Sequence, residues 1–510
     1  MEPLCQKLFL QLSPPTEEDP RAEKQRILDA LPLFLGQVQM ALPVMRKLHP
    51  ILRDAGWQVT VTLAWTGLCW EVVGLAPGNT ADRNYGVCVD LGSTTVCMRL
   101  VDLSTGETIC QDSAYNRQIA FGEDILTRVF YSKDNAPALE EIRQATLASF
   151  REVLEGLERK SGYPVASCGA MTVAGNTTMM HFLLGLDAFG VFASPYAPRA
   201  MRFDPYPARD LGLPLDGYVY CYPCRANYLG GDIVSGLVAT NLTQESEICV
   251  FLDIGTNGEL VFGNRDFMMS CACSAGPAFE GGDISCGMRA TDGAVEAVQI
   301  DRDTMEPTLR IVGAEGQKPV GICGSGIIDV IAELYRTSII SSKGQFVREG
   351  KRVAHDEHGM GRYILATAAE SETGREISIT EVDIDSFIRA KAAIFSAINI
   401  MLSSLDMDVT VLSHVYVAGG IGSGINMENA VRIGMLPDID RELFEYLGNT
   451  SLSGAYAMAR SDCAVDKVDE LASNMTYLEL STNPRYMDEF VAACFLPHTN
   501  RELFPSSIQE

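Results

Sequence analysis

At 510 residues, 47% hydrophobic and 21% charged, the chain is long enough for several domains, each with its own buried core. A formal charge of −26, with no basic run, argues against a nucleic-acid partner, because phosphate backbones are held by clustered Lys and Arg. No basic start with a short apolar core opens the chain, and no apolar run is long enough to span a bilayer. The expectation is a cytoplasmic protein with no membrane partner. Its 15 cysteines are scattered, and several (Cys88, Cys97, Cys249) fall inside apolar strands, as small hydrophobes do in a reducing compartment.

Residues 1–84 read as a small α+β docking or dimerisation domain. A helix opens at Asp19-Pro20-Arg21 and runs to about Leu31, with Ile27, Leu28 and Leu31 at helical spacing and Pro32 as its stop. A second helix covers about 43–54. The alternation of 58–63 and the run 69–73 form paired strands, and Ala76-Pro77-Gly78-Asn79 is a turn and linker.

A first lobe, 85–247, then begins with strands at about 86–91, 95–103 and 107–114. Helices follow at 123–132 and 137–158. A strand at 166–173 runs into Ala174-Gly175-Asn176, and a strand at 218–221 precedes a helix at 232–240. A second lobe, 248–510, repeats the plan around an insertion at about 274–378. Its strands lie at 248–253, 258–264 and 266–272, followed by a helix at 382–404 and a strand at 414–418 that runs into Gly419-Gly420-Ile421-Gly422. A strand at 476–480 and a helix at 485–494 close the chain. The fold class is α/β, two ribonuclease-H-like lobes around a nucleotide cleft. An all-parallel Rossmann sheet fits less well: the first three strands of each lobe join through turns too short for crossovers, and no Gly-x-Gly-x-x-Gly follows the first strand.

The lobes share a pattern of apolar-x-Asp-apolar-Gly-(Ser/Thr)-(Thr/Asn), once around Asp90-Leu91-Gly92-Ser93-Thr94 and once around Asp253-Ile254-Gly255-Thr256-Asn257. Glycine after a strand allows a close backbone approach, so successive N–H groups can face a phosphate. Gly92, Ser93, Thr94 and Thr95, with Gly255, Thr256, Asn257 and Gly258, are the candidate phosphate loops. Asp90 and Asp253 are placed to hold Mg²⁺ through water. A plain hairpin turn is the alternative for either copy alone. Asn176 and Asn449 each stand in Gly-Asn-Thr and read either as reporters of nucleotide state or as helix N-caps. Glu123 and Asp124 either orient an attacking water or favour a helix dipole from its first turn.

With Gly419, Gly420 and Gly422 as a candidate adenosine loop, the chain resembles the actin, sugar-kinase and heat-shock ATPase superfamily. More narrowly it resembles the reductive activators of corrinoid proteins. Segments carrying that resemblance include Ser113–Asn116, Phe121–Ile125, Ala174–Met179, Asp253–Glu259, Ser274–Gly281, Ile284–Arg289, Gly321–Gly326 and Asn429–Gly434. The resemblance implies ATP and Mg²⁺ as cofactors and a corrinoid protein of a methyltransferase system as partner. It also implies a homodimer and ATP-driven reduction of cob(II)alamin to cob(I)alamin. Typical members begin with a [2Fe–2S] domain held by Cys-x₄-Cys-x₂-Cys. Here Cys5 is followed by no cysteine until Cys69, so no iron–sulfur cluster is expected in this chain and a separate ferredoxin-type donor is implied. The alternatives are a small-molecule kinase, a nucleotide-binding scaffold without turnover, and an activator of a radical dehydratase. The Gly-rich stretches 274–282 and 285–289 either meet the corrinoid protein or close the cleft. Cys221, Cys224, Cys271 and Cys273 are a conceivable four-cysteine metal set, with no second Cys-x₂-Cys to support it.

Overall fold

The computed structural model describes residues 2–255, 257–419, 425–461 and 464–508. The chain forms two compact units, Met1–Ala239 with Thr450–Asn474 and Thr240–Asn449 with Met475–Glu510.

The first unit opens with β1 (Cys5–Gln11), α1 (Glu23–Ala30), β2 (Val38–Met40), α2 (Leu42–Asp54), β3 (Gln58–Trp65) and β4 (Trp70–Pro77). The strands lie in the order β1-β3-β4-β2. Val44, Leu48 and Leu52 recur at helical spacing along α2 and are buried in one core with Val59, Val61, Leu63 and Val72. The first helix begins at Glu23 rather than Asp19, because the Asp19 carboxylate is held at 2.8 Å by both Arg21 and Arg26. Lys7 Nζ donates to the Tyr163 hydroxyl at 2.7 Å, and Tyr218 donates to Glu71 at 2.8 Å, so this domain is tied to the rest of its unit.

There follow β5 (Tyr85–Leu91), β6 (Thr95–Asp102), β7 (Thr108–Tyr115), α3 (Ile125–Ser132), α4 (Ala136–Ser161), β8 (Ala170–Gly175), α5 (Thr177–Leu184), α6 (Phe189–Phe192), β9 (Tyr206–Pro207), β10 (Tyr218–Cys221) and α7 (Gly231–Val238). The sheet order is β7-β6-β5-β8-β10-β9. Val87, Val89 and Leu91 of β5, with Val96, Met98 and Leu100 of β6, are buried with Phe150, Val153 and Leu157 of α4.

The second unit starts with β11 (Ile248–Ile254), β12 (Gly258–Gly263) and β13 (Met268–Cys273). Next come β14 (Ala294–Ile300), β15 (Pro307–Ile311), β16 (Gly321–Ile322), α8 (Gly324–Arg336), β17 (Val353–His355), β18 (Gly361–Ala366) and β19 (Ile377–Thr380), which make two three-stranded sheets. The chain returns through α9 (Glu381–Ser403), β20 (Leu412–Gly419), α10 (Met427–Arg432) and β21 (Phe444–Gly448). It ends with α11 (Thr450–Ala459), α12 (Ala464–Asn474), β22 (Met475–Tyr477) and α13 (Tyr486–Ala493). The main sheet runs β21-β20-β11-β12-β13-β22. Helix α9 is long and apolar enough to cross a membrane by length and composition, but 78% of its apolar window is buried, as befits a core helix. Thr380 and Asp383 cap it reciprocally.

Both main sheets repeat one arrangement: a three-strand antiparallel meander whose first strand pairs in parallel with the strand leaving the next helical segment. The chain path departs from a linear division at one place. Helices α11 and α12, read from sequence as part of the second lobe, belong to the first unit. There Thr172 Oγ1 donates to Ala455 O at 2.7 Å and the Tyr222 hydroxyl donates to Gly454 O at 2.5 Å. A Cβ on Gly454 would lie 2.1 Å from Ser235 O on α7. Gly454→Val should therefore force the two helices apart and cost about 1–3 kcal/mol of stability. A lowered apparent melting temperature of the full chain is the expected readout; an unchanged one would show that the helix pair tolerates a side chain there.

Candidate functional site

Strand pairing sets the first turn. Asp90 is opposite Cys97 on β6 and Ala174 on β8, and Leu91 is opposite Gly175. Directly opposed residues share a face, so Asp90 lies beside the Cys97 thiol. Burial, and next the Asp90 charge, push that thiol up to about 11. Gly92 N–H donates to Thr95 O at 3.0 Å, and a Cβ on Gly92 would meet that oxygen at 2.7 Å. On Gly175 a Cβ would meet Leu91 O at 2.7 Å. Both glycines are required by backbone approach.

The carbonyls of this turn are all engaged on one side. Asn116 Nδ2 donates to Gly92 O at 2.9 Å, Arg128 Nη1 donates to Ser93 O at 2.7 Å, and Asn116 N–H donates to Thr94 O at 2.8 Å. In a trans peptide the C=O of one residue and the N–H of the next point in opposite directions. Drawing back the Gly92 and Ser93 carbonyls therefore turns the Ser93 and Thr94 N–H groups to the other side. This is the donor set that a phosphate oxygen takes. Asn116 and Arg128 were not among the candidate site residues; a buried arginine on a short helix gives no signal in sequence to separate it from a surface one.

Glu123 and Asp124 are exposed. Asp124 caps α3, accepting from Thr127 Oγ1 at 2.6 Å and Thr127 N–H at 2.8 Å, and those bonds hold its carboxyl below the usual range. Glu123 contributes its carbonyl to Arg128 at 3.1 Å. Asn176 caps α5 through Met179 N–H at 2.9 Å. Thus Asn176 makes the helix-capping bond that was its alternative reading, and Asp124, whose alternative was a first-turn acid favoured by the helix dipole, is the N-cap of α3.

The end of β8 meets the start of α7. A Cβ on Gly230 would lie 2.3 Å from the Asn176 Cα, which brings Asp232 close to the Ala174-Gly175-Asn176 corner. Ser451 Oγ donates to Asp232 O at 3.4 Å. Asp232 Oδ1 accepts from Ile233 N–H at 2.9 Å, and burial pushes its carboxyl up to about 6. In sequence this third acid is indistinguishable from a first-turn residue placed for the helix dipole.

In the second unit Asp253 is opposite Glu259 on β12 and Ala418 on β20, and Ile254 is opposite Gly419. The parallel pairing reproduces that of Asp90, Ala174, Leu91 and Gly175. Gly419 adopts φ +105°, and a Cβ there would meet Ile254 O at 2.2 Å and Asp253 Oδ1 at 2.7 Å. The Asp253 carboxylate thus packs over a bare glycine. Gly255 N–H donates to Asn257 O at 3.0 Å. A Cβ on Gly258 would lie 2.7 Å from Cys273 Sγ. Glu259 places a second carboxylate on the Asp253 face of the sheet, a consequence of register that composition does not reveal. Thr256, Gly420 and Gly422 lie outside the described residues.

The Gly-rich stretches of the insertion interlock. A Cβ on Gly287 would meet Gly281 O at 2.0 Å, and one on Gly324 would meet Phe279 O at 2.0 Å. Ser285 N–H and Oγ donate to Asp383 at 2.8 and 3.0 Å, anchoring the second stretch to α9. Cys221 and Cys224 are buried in the first unit and Cys271 and Cys273 in the second. Burial raises all four thiols, the first pair to about 12, well above the range where a thiolate would form at neutral pH.

The Asp232 carboxyl carries a pH signature. Its folded value of about 6 stands above the usual 3.8, so between those values the folded state holds more protons. Stability is full below about pH 4 and declines as pH rises through about 6. Asp232→Asn should raise the melting temperature at pH 8 and remove this decline between pH 4 and 6. Parallel pH–melting profiles for the two proteins would contradict the assignment.

Residues 247–508 match the C-terminal domain of RACo (the ASKHA domain), residues 85–245 the RACo middle region and residues 1–82 the RACo linker region. Among solved structures the chain is similar to a reductive activator for corrinoid, iron–sulfur protein. The two are 41% identical with a TM-score of 0.91, over 99% of this chain and 81% of the other. It is 28% identical over 434 residues to the corrinoid activation enzyme RamQ of Eubacterium limosum, spanning 82% of this chain and 72% of the relative. It is 24% identical over 446 residues to the Co(II) methylated amine-specific corrinoid protein reductase of Methanosarcina barkeri, spanning 79% and 75%. With its second unit built on the ASKHA domain and its linker and middle regions matched in succession, this chain belongs to the RACo family.

Proposed function

We propose that this protein is an ATP-dependent activator of a corrinoid protein, coupling ATP hydrolysis to the one-electron reduction of cob(II)alamin to cob(I)alamin. The observation that carries the reading is the pair of acid-tipped glycine turns in matched register, Asp90 beside Ala174-Gly175 and Asp253 beside Ala418-Gly419, in a chain of this family. Similarity to the corrinoid activation enzyme and the corrinoid protein reductase supports the substrate.

The residues present fit a magnesium nucleotide. Asp90 and Asp253 are the carboxylates assigned to Mg²⁺, through its water shell. When bound, the metal neutralises charge on the phosphate oxygens. The Ser93 and Thr94 N–H groups, freed by the withdrawn carbonyls, supply donors to phosphate oxygens. Gly419, which we assign to the adenosine loop, has no side chain because Ile254 O and the Asp253 carboxylate fill the space a Cβ would take. Asn176, fixed at the N-terminus of α5, holds that corner of the sheet in place.

Reduction of Co(II) takes one electron, which we assign to a separate ferredoxin-type donor. For a one-electron couple about 59 mV is a tenfold change in equilibrium, so a gap of roughly 240 mV requires about 5.5 kcal/mol. A change of that size moves a two-state equilibrium from about 1:99 to 99:1. Nucleotide-driven conformational change on that scale suffices to favour a corrinoid state that accepts the electron.

The test is phosphate release measured with and without a cob(II)alamin-bearing partner protein. The expected result is hydrolysis without a phosphate acceptor, stimulated by the partner. Asp253→Ala and Asp90→Ala should each lower the stimulated rate by 100-fold or more, on the order of the loss of one charge-stabilising group. Phosphate transfer to a small hydroxyl compound, with no effect of the corrinoid partner, would replace this reading by a kinase.

A further inference from the structure

Arg128 on α3 is fully buried, and its guanidinium is spent on neutral acceptors. Nη1 donates to Ser93 O at 2.7 Å and to Gln118 Oε1 at 3.3 Å, Nε to Gly122 O at 2.8 Å and Nη2 to Glu123 O at 3.1 Å. No carboxylate lies within ion-pair distance of it among the described residues. Asp124, the acid nearest in sequence, is engaged with Thr127 at the helix cap; its charge acts on Arg128 through space and only partly offsets the cost of burial. A buried cation without a carboxylate is costly, and folds keep such groups where another charge completes them.

The surroundings fix this cation rather than merely house it. Gln118 donates through Nε2 to Thr146 Oγ1 at 2.6 Å, and its N–H bonds to Asn116 Oδ1 at 3.1 Å. Asn116 in turn holds the Gly92 carbonyl at 2.9 Å. A closed circuit therefore runs from Gly92 through Asn116, Gln118 and Arg128 back to Ser93. Gly122, at φ +153°, allows the turn that aims its carbonyl at Nε; a Cβ there would collide with Thr127 Cγ2 at 2.6 Å. Burial lowers the guanidinium pKa to about 10, which leaves it a cation at neutral pH.

We propose that Arg128 is a positioning residue for nucleotide phosphates: it pins the Ser93 peptide so that the Thr94 N–H faces the ligand, and the polyphosphate anion is its counter-charge across the loop. A donor on a carbonyl also polarises the N–H of the same peptide, so the hydrogen bond that orients the loop strengthens its grip on an anion. The inference rests on the nucleotide reading above and deepens it, since it assigns the anion selectivity of the site to a residue that never touches the ligand.

Calorimetric titration of the full chain with Mg–ATP and with adenosine tests this. Arg128→Met should weaken Mg–ATP about 30-fold and adenosine less than about 2-fold, the scale set by a charge-assisted bond. Arg128→Lys, which keeps the charge but not the fork, should fall between wild type and Met for ATP and leave adenosine unchanged. Equal losses for both ligands would mark a purely structural role and overturn the proposal. If the Met variant does not fold, the Lys variant decides: ATP affinity equal to wild type overturns it, and a selective loss supports it. A wild-type protein that binds no Mg–ATP overturns the nucleotide reading itself; an intact wild type with an unselective variant overturns only the role of Arg128.

Discussion

Parallel pairing between the first and fourth strands of each sheet is the constraint on which the rest depends. It sets Asp90 against Ala174 and Leu91 against Gly175, and it sets Asp253 against Ala418 and Ile254 against Gly419. A slip of one residue would turn each acid to the opposite face and place a side chain where the backbones approach to within contact of a Cβ. The glycines at 175 and 419 are thus part of the register, and each acid is delivered to the carboxyl end of its sheet, where ligands bind in open α/β folds.

Behind the first turn stands a second layer of polar residues. Asn116 and Arg128 draw the loop carbonyls inward, and the loop amides are left to face outward. Their side chains do no chemistry; they fix the backbone of the turn proposed to receive phosphate. Preorganisation of this sort lowers the reorganisation needed when a charged ligand arrives. The insertion of the second unit uses glycine for another purpose. Gly281, Gly287 and Gly324 let backbones touch, and Asp383 at the start of α9 anchors the result. A rigid platform of this kind suits a surface that must recognise one partner.

Short-range signals were legible in the sequence and long-range ones were not. The strand-turn-strand copies at Asp90 and Asp253 follow from short apolar runs and glycine turn chemistry, and α9 from a long run rich in Ala and Ile. Helix α11 was invisible as a member of the first unit, because its partner α7 lies over 200 residues earlier and Gly454 signals close packing only once both helices are seen. The three-residue β2 is too short for alternation to register, and β1 does not alternate. Asp232, Glu259 and Arg128 escaped for a common reason: each resembles an ordinary helix or strand charge until register and burial place it. Asp124 and Asn176 illustrate the converse, since residues chosen for chemistry make capping bonds that any helix start would welcome.

The central claim is that nucleotide held on these turns drives electron entry into a corrinoid. Its most direct measurement is the optical spectrum of a cob(II)alamin-bearing partner mixed with this protein and a reduced ferredoxin-type donor. Parallel samples would contain Mg–ATP, a non-hydrolysable analogue, or no nucleotide. Cobalt(I) should accumulate with Mg–ATP and fall to background without nucleotide. Equal cobalt(I) yields in all three samples would contradict the account, because reduction would then owe nothing to nucleotide.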